Sequence, residues 1–572
     1  MQVAIRRRFI CHLHCRLVKR ACSSGRRGTL ASIAAAALVL GACGGGGGGS
    51  GTGNGASGGA SQQADSAPPA VVLTDMQPLE HGFAFANFPS SWYDDEFLAE
   101  DLVAMFGSDP SVCVDGVADP CELTAEAAAF ARLINQSRAS GHCEGLVAVA
   151  QARYNERSDP PTSTLADDSE TIKAIMRAFA TQFIPEVRDE VNKWLGSSLA
   201  DKVKALETSL AEGNLIYSLG VYVEDGGHAI LPYAIEYLTP TTPRIMIYDS
   251  NWPGRNRWVD VDLTTETWAF SFSGDDPTND PDLWTGGANR MDLTAIDTRA
   301  GTCPFCEGNV TATKNVLLVR SSDLNWSVQA GGDTVSPDDR GTDGGVTVTA
   351  VKGQAGSLRT TFDFVVEVPA SSNGERAQLT LPGTTSVFAL TPSGIAQIST
   401  PGNPDVPVEV GATSFVSADP EVSLSLASGN LVATVSGPTA SLEITEGGLK
   451  AAVTTEDGQT VELAVTTDTP AAKLVADPTT GGIQVLAQAA NGIVEKREIA
   501  ADGSVTVSID TTPLNLNATS WEPPPGLESA PLPMLPPPDV RNVNNPDYTV
   551  DKPYTPPANA VSTTDTTPPA TQ

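Results

Sequence analysis

Apolar residues recur at helical spacing through Glu96–Phe106, Glu126–Ile134, Cys143–Tyr154 and Glu170–Phe183, which predicts four amphipathic helices. Two more polar helices are expected within 185–196 and 198–211. After Asn214 the period shortens to two, through Leu215–Val223, Ala229–Leu238, Arg244–Tyr248, Arg257–Val261 and Trp268–Phe272, so strands follow. Helices first and strands later predict an α+β domain over residues 71–320. From Ser327 to Thr519 the chain changes again. Short alternating runs such as Gly345–Val351, Phe362–Val368, Val422–Leu426, Leu431–Val435 and Thr460–Val465 are separated by Gly, Pro, Asn and Asp. They predict an all-β, sandwich-like accessory region over 327–519. It holds no Trp, Tyr or Cys, whereas seven of the eight Trp lie at or before Trp326, which puts the large-residue core in the α+β part.

Both ends read as tethers. Residues 1–42 have the form of an export signal, with a basic start and then a small apolar run, Ala31 to Leu40. That run is about half of the ~20 residues a permanent membrane helix needs. It ends in Leu40-Gly41-Ala42-Cys43, which resembles the bacterial lipoprotein signal and implies lipidation of Cys43. The Gly/Ser-rich stretch 43–70 suits a flexible spacer. In 520–572 proline is dense, 14 of the last 52 residues, and a disordered, extended tail is expected. The expected location is therefore extracytoplasmic on a bacterial cell envelope, at the outer membrane or cell surface, held by lipid alone. Gly44 after the lipidated cysteine is unlike the Asp used for inner-membrane retention.

Charge removes one class of partner. The chain carries 35 Lys and Arg against 68 Asp and Glu, and its first 42 residues hold eight of the basic ones and no acidic one. So acidic a mature surface repels phosphate backbones, and no nucleic-acid partner is expected. Export also bears on the nine cysteines, since thiols outside the cytoplasm tend to pair. Beyond Cys43 there are Cys113, Cys121, Cys143, Cys303 and Cys306. Cys113 with Cys121, and Cys303 with Cys306, are close sets expected to form disulfides, with a shared zinc site as the alternative. Cys143 is left alone. Acidic residues Asp275, Asp276, Asp280 and Asp282 lack the regular spacing of a calcium loop and read as solvated surface. No metal or other cofactor is expected.

Thiol chemistry needs a base and a group to orient it. Beyond the signal the histidines are His81, His142 and His228. His142 adjoins Cys143 and, at a helix end, points away from it; His81 reads as structural. Cys143 follows Ser140-Gly141 and opens a helix, where free amides and the dipole stabilise a thiolate. His228 starts a strand in Asp225-Gly226-Gly227-His228-Ala229, where glycines permit another backbone or a substrate to come close. The next strand ends in Tyr248-Asp249-Ser250-Asn251-Trp252, and Asp249 is within reach of the far ring nitrogen of His228 if the two strands are antiparallel neighbours.

These residues resemble the papain-like cysteine peptidases in their wide sense, bacteriocin-processing relatives included. Asn135-Gln136-Ser137-Arg138-Ala139-Ser140-Gly141-His142-Cys143 is similar to the family's Asn-Gln-Gly-x-x-Gly-x-Cys with one residue more. Gly227-His228-Ala229 is like the family's Gly-His-Ala, and Tyr248–Trp252 like the strand end bearing its Asn or Asp. The resemblance spans about residues 75–320. It implies Cys143 as nucleophile, His228 as general base and acid, Asp249 as the orienting group, and Gln136 with the Cys143 amide as oxyanion donors. Asn135 is the substitute for Gln136, and Asn251 the alternative third member. Glu144 stands where the family commonly has Trp and sets a negative charge beside the thiol, either opposing its ionisation or facing a cationic substrate. The implied activity is hydrolysis of amide bonds in a peptide or protein substrate by a monomer, or transfer of the acyl group to another amine. The competing reading is a non-enzymatic surface binding or adhesion lipoprotein in which 327–519 does the work on an inactive papain-like scaffold.

Overall fold

The structure, a computed structural model, describes residues 70–557 and 561–562 except 275–277, 281, 307–313, 340–344, 356–360, 371–374, 403, 405–406, 515, 517–520, 522–523, 525–526 and 528–534. The export segment, Cys43 and the spacer lie outside the described residues, as do Asp275 and Asp276. Seven helices come first: α1 (Pro78–His81), α2 (Ala99–Phe106), α3 (Ala125–Ser137), α4 (Cys143–Asn155), α5 (Ser169–Ala180), α6 (Pro185–Leu195) and α7 (Leu199–Ala211). Side chains satisfy the orphan amides at three of their starts, with Thr124 accepting from Ala127, Asp168 from Thr171 and Ser198 from Asp201. On α5 the buried positions Ile172, Ile175, Met176 and Phe179 fall on one face, as the periodicity requires.

Strand β1 (Ala70–Leu73) precedes the helices, and β2 (Tyr217–Tyr222), β3 (Gly227–Thr239), β4 (Thr242–Tyr248), β5 (Arg257–Asp262), β6 (Thr267–Ser271), β7 (Leu283–Gly287) and β8 (Met291–Ala295) follow them. They form an antiparallel sheet in the order β1-β3-β4-β5-β6-β7, with β2 joined to β3 and β8 to β2. Long β3 pairs with β2 along its first residues and with β1 further on, while β4 joins it only from Leu231. A ninth strand, Val561–Ser562, joins this sheet parallel to β1, and the other strands make an eight-stranded and an eleven-stranded sheet. The two share one apolar core that includes Leu317, Val319, Trp326, Phe364, Leu379 and Leu442.

Three expectations need correction. Strand β9 (Lys314–Ser321) pairs with Phe362–Pro369 and Thr385–Thr391 in the eleven-stranded sheet, so the β-rich part begins near 314 instead of 327. Alternation along β9 explains why: Leu317 and Val319 enter the core between the sheets, while Leu318 joins Phe130, Phe179, Val365 and Phe388 in a second core under the helices. Trp326 belongs to the sandwich core, not to the α+β core. The tail is not free along its described length. Val543 N–H donates to Ala84 O at 2.8 Å, Asp551 N–H to Gly254 O at 3.0 Å, and Tyr554 N–H to Gln77 Oε1 at 2.8 Å. Proline removes donors from the segment, but the residues between the prolines keep theirs and use them on the α+β part. All the described residues fall in one compact unit.

Helix α6 is fixed to the sandwich by a buried charge pair. Arg188 Nη2 donates to Glu367 Oε2 at 2.9 Å and to Thr349 Oγ1 at 3.1 Å, with both charged side chains almost wholly buried. Burial raises the Glu367 pKa, but the charges of Arg188 and Lys314 and the hydrogen bonds of Asn192 and Arg188 bring it below the usual value. Glu367→Ala leaves Arg188 without its counter-charge and is expected to cost about 3–5 kcal/mol in denaturant unfolding.

Candidate active site

Cys143 occupies the first turn of α4, a helix enclosed on nearly every face. Cys143, Val147 and Ala150 face the core of the first sheet, and Leu146 faces the core beneath the helices. The close fit depends on Gly145, where an added Cβ would lie 2.1 Å from Ile175 O on α5. Cys143 is the free cysteine among the described residues; Cys113–Cys121 and Cys303–Cys306 are disulfide-bonded. The zinc alternative for those four is thereby set aside.

Strand pairing between β3 and β4 brings His228 to Asp249, with Leu231 opposite Tyr248. His228 Nε2 donates to Asp249 Oδ1 at 2.8 Å, and the Asn251 N–H donates to the same oxygen at 2.8 Å. Arg257 Nε lies 3.4 Å from Asp249 Oδ2. Burial raises the Asp249 pKa, but the charges of His228 and Arg257 and the bonds it accepts hold it below the usual carboxylate value. The other ring nitrogen, Nδ1, is buried and has no hydrogen-bond partner among the described residues. Burial pushes the His228 pKa down, yet the nearby Cys143 sulfur and the bonded Asp249 carboxylate outweigh it and raise it to about 10. Cys143 Sγ also accepts the Ala229 N–H at 3.3 Å. Cys143, His228 and Asp249 are all fully buried, and Phe270 and Phe272 flank the ring.

The sign of the linkage follows from the raised His228 pKa. Its contribution to stability is fully present below the ordinary value of 6.5 and is lost as pH rises through about 10. Wild-type protein is therefore expected to lose more of its unfolding free energy between pH 7 and 10 than Cys143→Ala, which lacks the sulfur that helps to raise the His228 pKa. Parallel pH–stability curves for the two proteins would exclude that influence of the sulfur on His228.

The two side-chain amides expected at the oxyanion are bonded elsewhere. Gln136 sits on α3 with its Nε2 donating to Trp521 O at 3.4 Å, and Asn135 is bonded to Phe97 N and O. Residues 138–140 form a 3-10 turn between α3 and α4. Asn251 does not bond the imidazole; its amide donates to Gln354 O at 3.1 Å. Glu144 faces no cleft either. It is fully buried, bonded to Arg299 Nη2 at 2.7 Å and 3.4 Å from Lys352 Nζ. His142 is buried against Phe88 with its Nδ1 2.8 Å from Phe88 O, and burial together with the Arg138 charge lowers its pKa to about 3. His81 Nδ1 accepts the Gln77 N–H at 3.0 Å, a structural role.

A side-chain amide held at the start of α4 comes from Asn87, which sequence reasoning missed. Its Oδ1 accepts the His142 N–H at 2.7 Å, and its Nδ2 donates to Gln354 O at 2.9 Å and, at 3.2 Å, to Asn251 Oδ1. The available signal was a single amide inside the apolar run Phe83-Ala84-Phe85-Ala86-Asn87-Phe88, a fully buried polar residue that must be held by partners. Among the described residues no group of three or more His, Cys, Asp or Glu side chains is gathered as metal ligands would be, and no helix is long and apolar enough to cross a membrane. No protein-family model matches the chain, and neither do any curated protein or solved structure.

Proposed function

We propose that this chain is a thiol hydrolase of papain-like type, a cysteine peptidase that cleaves amide bonds through Cys143, His228 and Asp249. The observation that carries the reading is the buried convergence of the three groups: the sulfur at a helix N-terminus accepts the amide of Ala229, and the neighbouring His228 is bonded to the Asp249 carboxylate. The Cys143 thiolate attacks the acyl carbon, and amides near the start of α4 together with Asn87 hold the oxygen that gains charge. His228, oriented by Asp249, gives its proton to the departing amine. It then takes one from the water that breaks the thioester, which restores the thiol site. In this reading the protein works outside the cytoplasm of a bacterium, moored through lipid on Cys43 at the outer membrane or cell surface, with a peptide or protein as substrate.

An electrophilic thiol probe tests it. Prolonged incubation of the folded protein is expected to place the adduct on Cys143, and Asp249→Ala is expected to slow peptide hydrolysis about 10³–10⁴-fold while the Cys143 sulfur remains present. Equal activity in Asp249→Ala and wild type would remove the carboxylate's assigned role.

One observation favours the competing binding reading. The last strand of the eleven-stranded sheet, Val505–Asp510, carries Val505, Val507 and Ile509 more than half exposed on alternate positions. If that stripe binds another surface, Val507→Lys abolishes adhesion and leaves peptide hydrolysis as it was.

A further inference from the structure

We propose that residues 351–355, which follow strand Thr347–Ala350 of the β-rich part, are a built-in occluding ligand of the Cys143 cleft, lying in it as an extended peptide and gripped by an amide clamp of Asn87 and Asn251. The proposal rests on the thiol-hydrolase reading and names how that site is regulated.

The backbone of this strap is held from both walls of the cleft. Gly353 N–H and Gln354 N–H both donate to Gly227 O at 3.3 Å, on the residue immediately before the general base. Ala355 N–H donates to Ser140 O at 2.9 Å, in the turn immediately before the nucleophile's helix. Asn87 Nδ2 and Asn251 Nδ2 converge on one carbonyl, Gln354 O, at 2.9 and 3.1 Å, and Asn87 also reaches Gly353 O at 3.3 Å. A strap segment thus bonds to the chain on each side of the nucleophile and the base through main-chain groups, the atoms that every peptide offers.

The fit leaves no slack. A Cβ on Gly141 would lie 1.9 Å from Gly353 O, one on Gly353 would lie 2.8 Å from Gly141 O, and one on Gly226 would lie 2.8 Å from Gln354 Oε1. Glycine on both sides of the contact is what permits such approach. Strap residues Val351, Lys352, Gln354 and Ala355 are buried, and the catalytic sulfur beneath is wholly so. Lys352 anchors the strap's start: its N–H donates to Gln182 Oε1 at 3.1 Å, its Nζ donates to Thr294 Oγ1 at 3.1 Å, and it lies within ion-pair distance of Glu144 and Asp292. A substrate enters only when this segment lifts, so the closed form is the resting form. A peptide that replaces it must be extended and carry a small residue where Gly353 meets Gly141.

The test is the rate at which iodoacetamide alkylates Cys143 in the full chain, mapped by mass spectrometry. Wild type is expected to react slowly and to keep bonds 351–355 intact. Gly353→Ala and Lys352→Met, checked for folding by circular dichroism, are each expected to react at least about tenfold faster, because they raise the population of the open form. Folded variants that react at the wild-type rate, or cleavage within 351–355 on incubation, would overturn the proposal. Amide hydrogen exchange on the wild type gives an independent check if either variant fails to fold: Gly353, Gln354 and Ala355 are expected to be protected, and rapid exchange at all three overturns occlusion. Adding His228→Ala to Lys352→Met separates the two readings. A drop in rate upholds both, whereas an unchanged fast rate upholds the strap and refutes base activation of the thiol.

Discussion

Cys143→Ala is expected to abolish hydrolysis, a loss of at least about 10⁴-fold, while the protein folds and melts almost as wild type does. The two halves of that result come from different parts of the structure. The sulfur has no substitute as nucleophile, since the other described cysteines in the α+β part are held as disulfides. Yet removing it deletes one atom from a core otherwise filled by Val147, Leu219, Ala229 and Ile230, which costs about 1 kcal/mol. His228→Ala is expected to match it in activity, because a nucleophile and base that act as a unit do not contribute additively. Stability should suffer more there: Asp249 is left buried with Arg257 as its remaining close charge partner. Steady-state peptide hydrolysis and denaturant melts of the two variants check both halves. Residual turnover in Cys143→Ala above the level of a buffer control would assign the chemistry elsewhere.

The second large effect is expected from Glu144→Ala. Glu144 lies at the centre of a buried charge network that joins α4, the turn after β8 and the strap, through Arg299 at 2.7 Å and Lys352 at 3.4 Å. Asp292, 3.5 Å from Lys352, completes it. Burial raises the Glu144 pKa, but the two positive charges and their hydrogen bonds more than offset this and hold it below 4.5. Removing the carboxylate strands two buried cations over one remaining anion, for an expected loss of about 3–5 kcal/mol. Glu144→Gln keeps the shape and one acceptor, so a smaller loss is expected. The pH dependence carries the same signature. The contribution of Glu144 is present above pH 4.5 and fades as pH falls through its depressed native value, so wild type and Glu144→Ala should converge in strong acid. A wild-type advantage that persists unchanged in acid would show that the residue acts through packing alone.

Much of the fold could be read from periodicity, because helices such as α5 bury one face and strands such as β5 bury alternate residues. Each of the six expected helices is present within a few residues, and so are the five strands named between Leu215 and Phe272. What periodicity missed has physical causes. Strands β7 and β8 are short and follow a polar loop, so neither shows an alternating run long enough to stand out. The boundary near 314 was misplaced because β9 is apolar on both faces, with one covered by helices and the other by a sheet. That strand therefore belongs to two layers at once. That His228 would lie beside Asp249 could be read because each stands at an element's end, where a local pattern marks it. Asn87 and the strap could not be read, because they reach the site through tertiary contacts between segments up to 267 residues apart. The motif pointed to Gln136, whose amide donates instead to Trp521 O, a contact across 385 residues that no local pattern marks.

The tail has a consequence for how the protein comes into being. Arg541 buries its guanidinium against the carbonyl of Asn251, two residues beyond the carboxylate that orients the imidazole, and Val543 fastens the stretch that carries Asn87. Both lie far along the chain from the residues they hold, Arg541 being 290 positions after Asn251. A product that stops short of residue 541 can thus contain Cys143, His228 and Asp249 in full and still lack the brace that sets them.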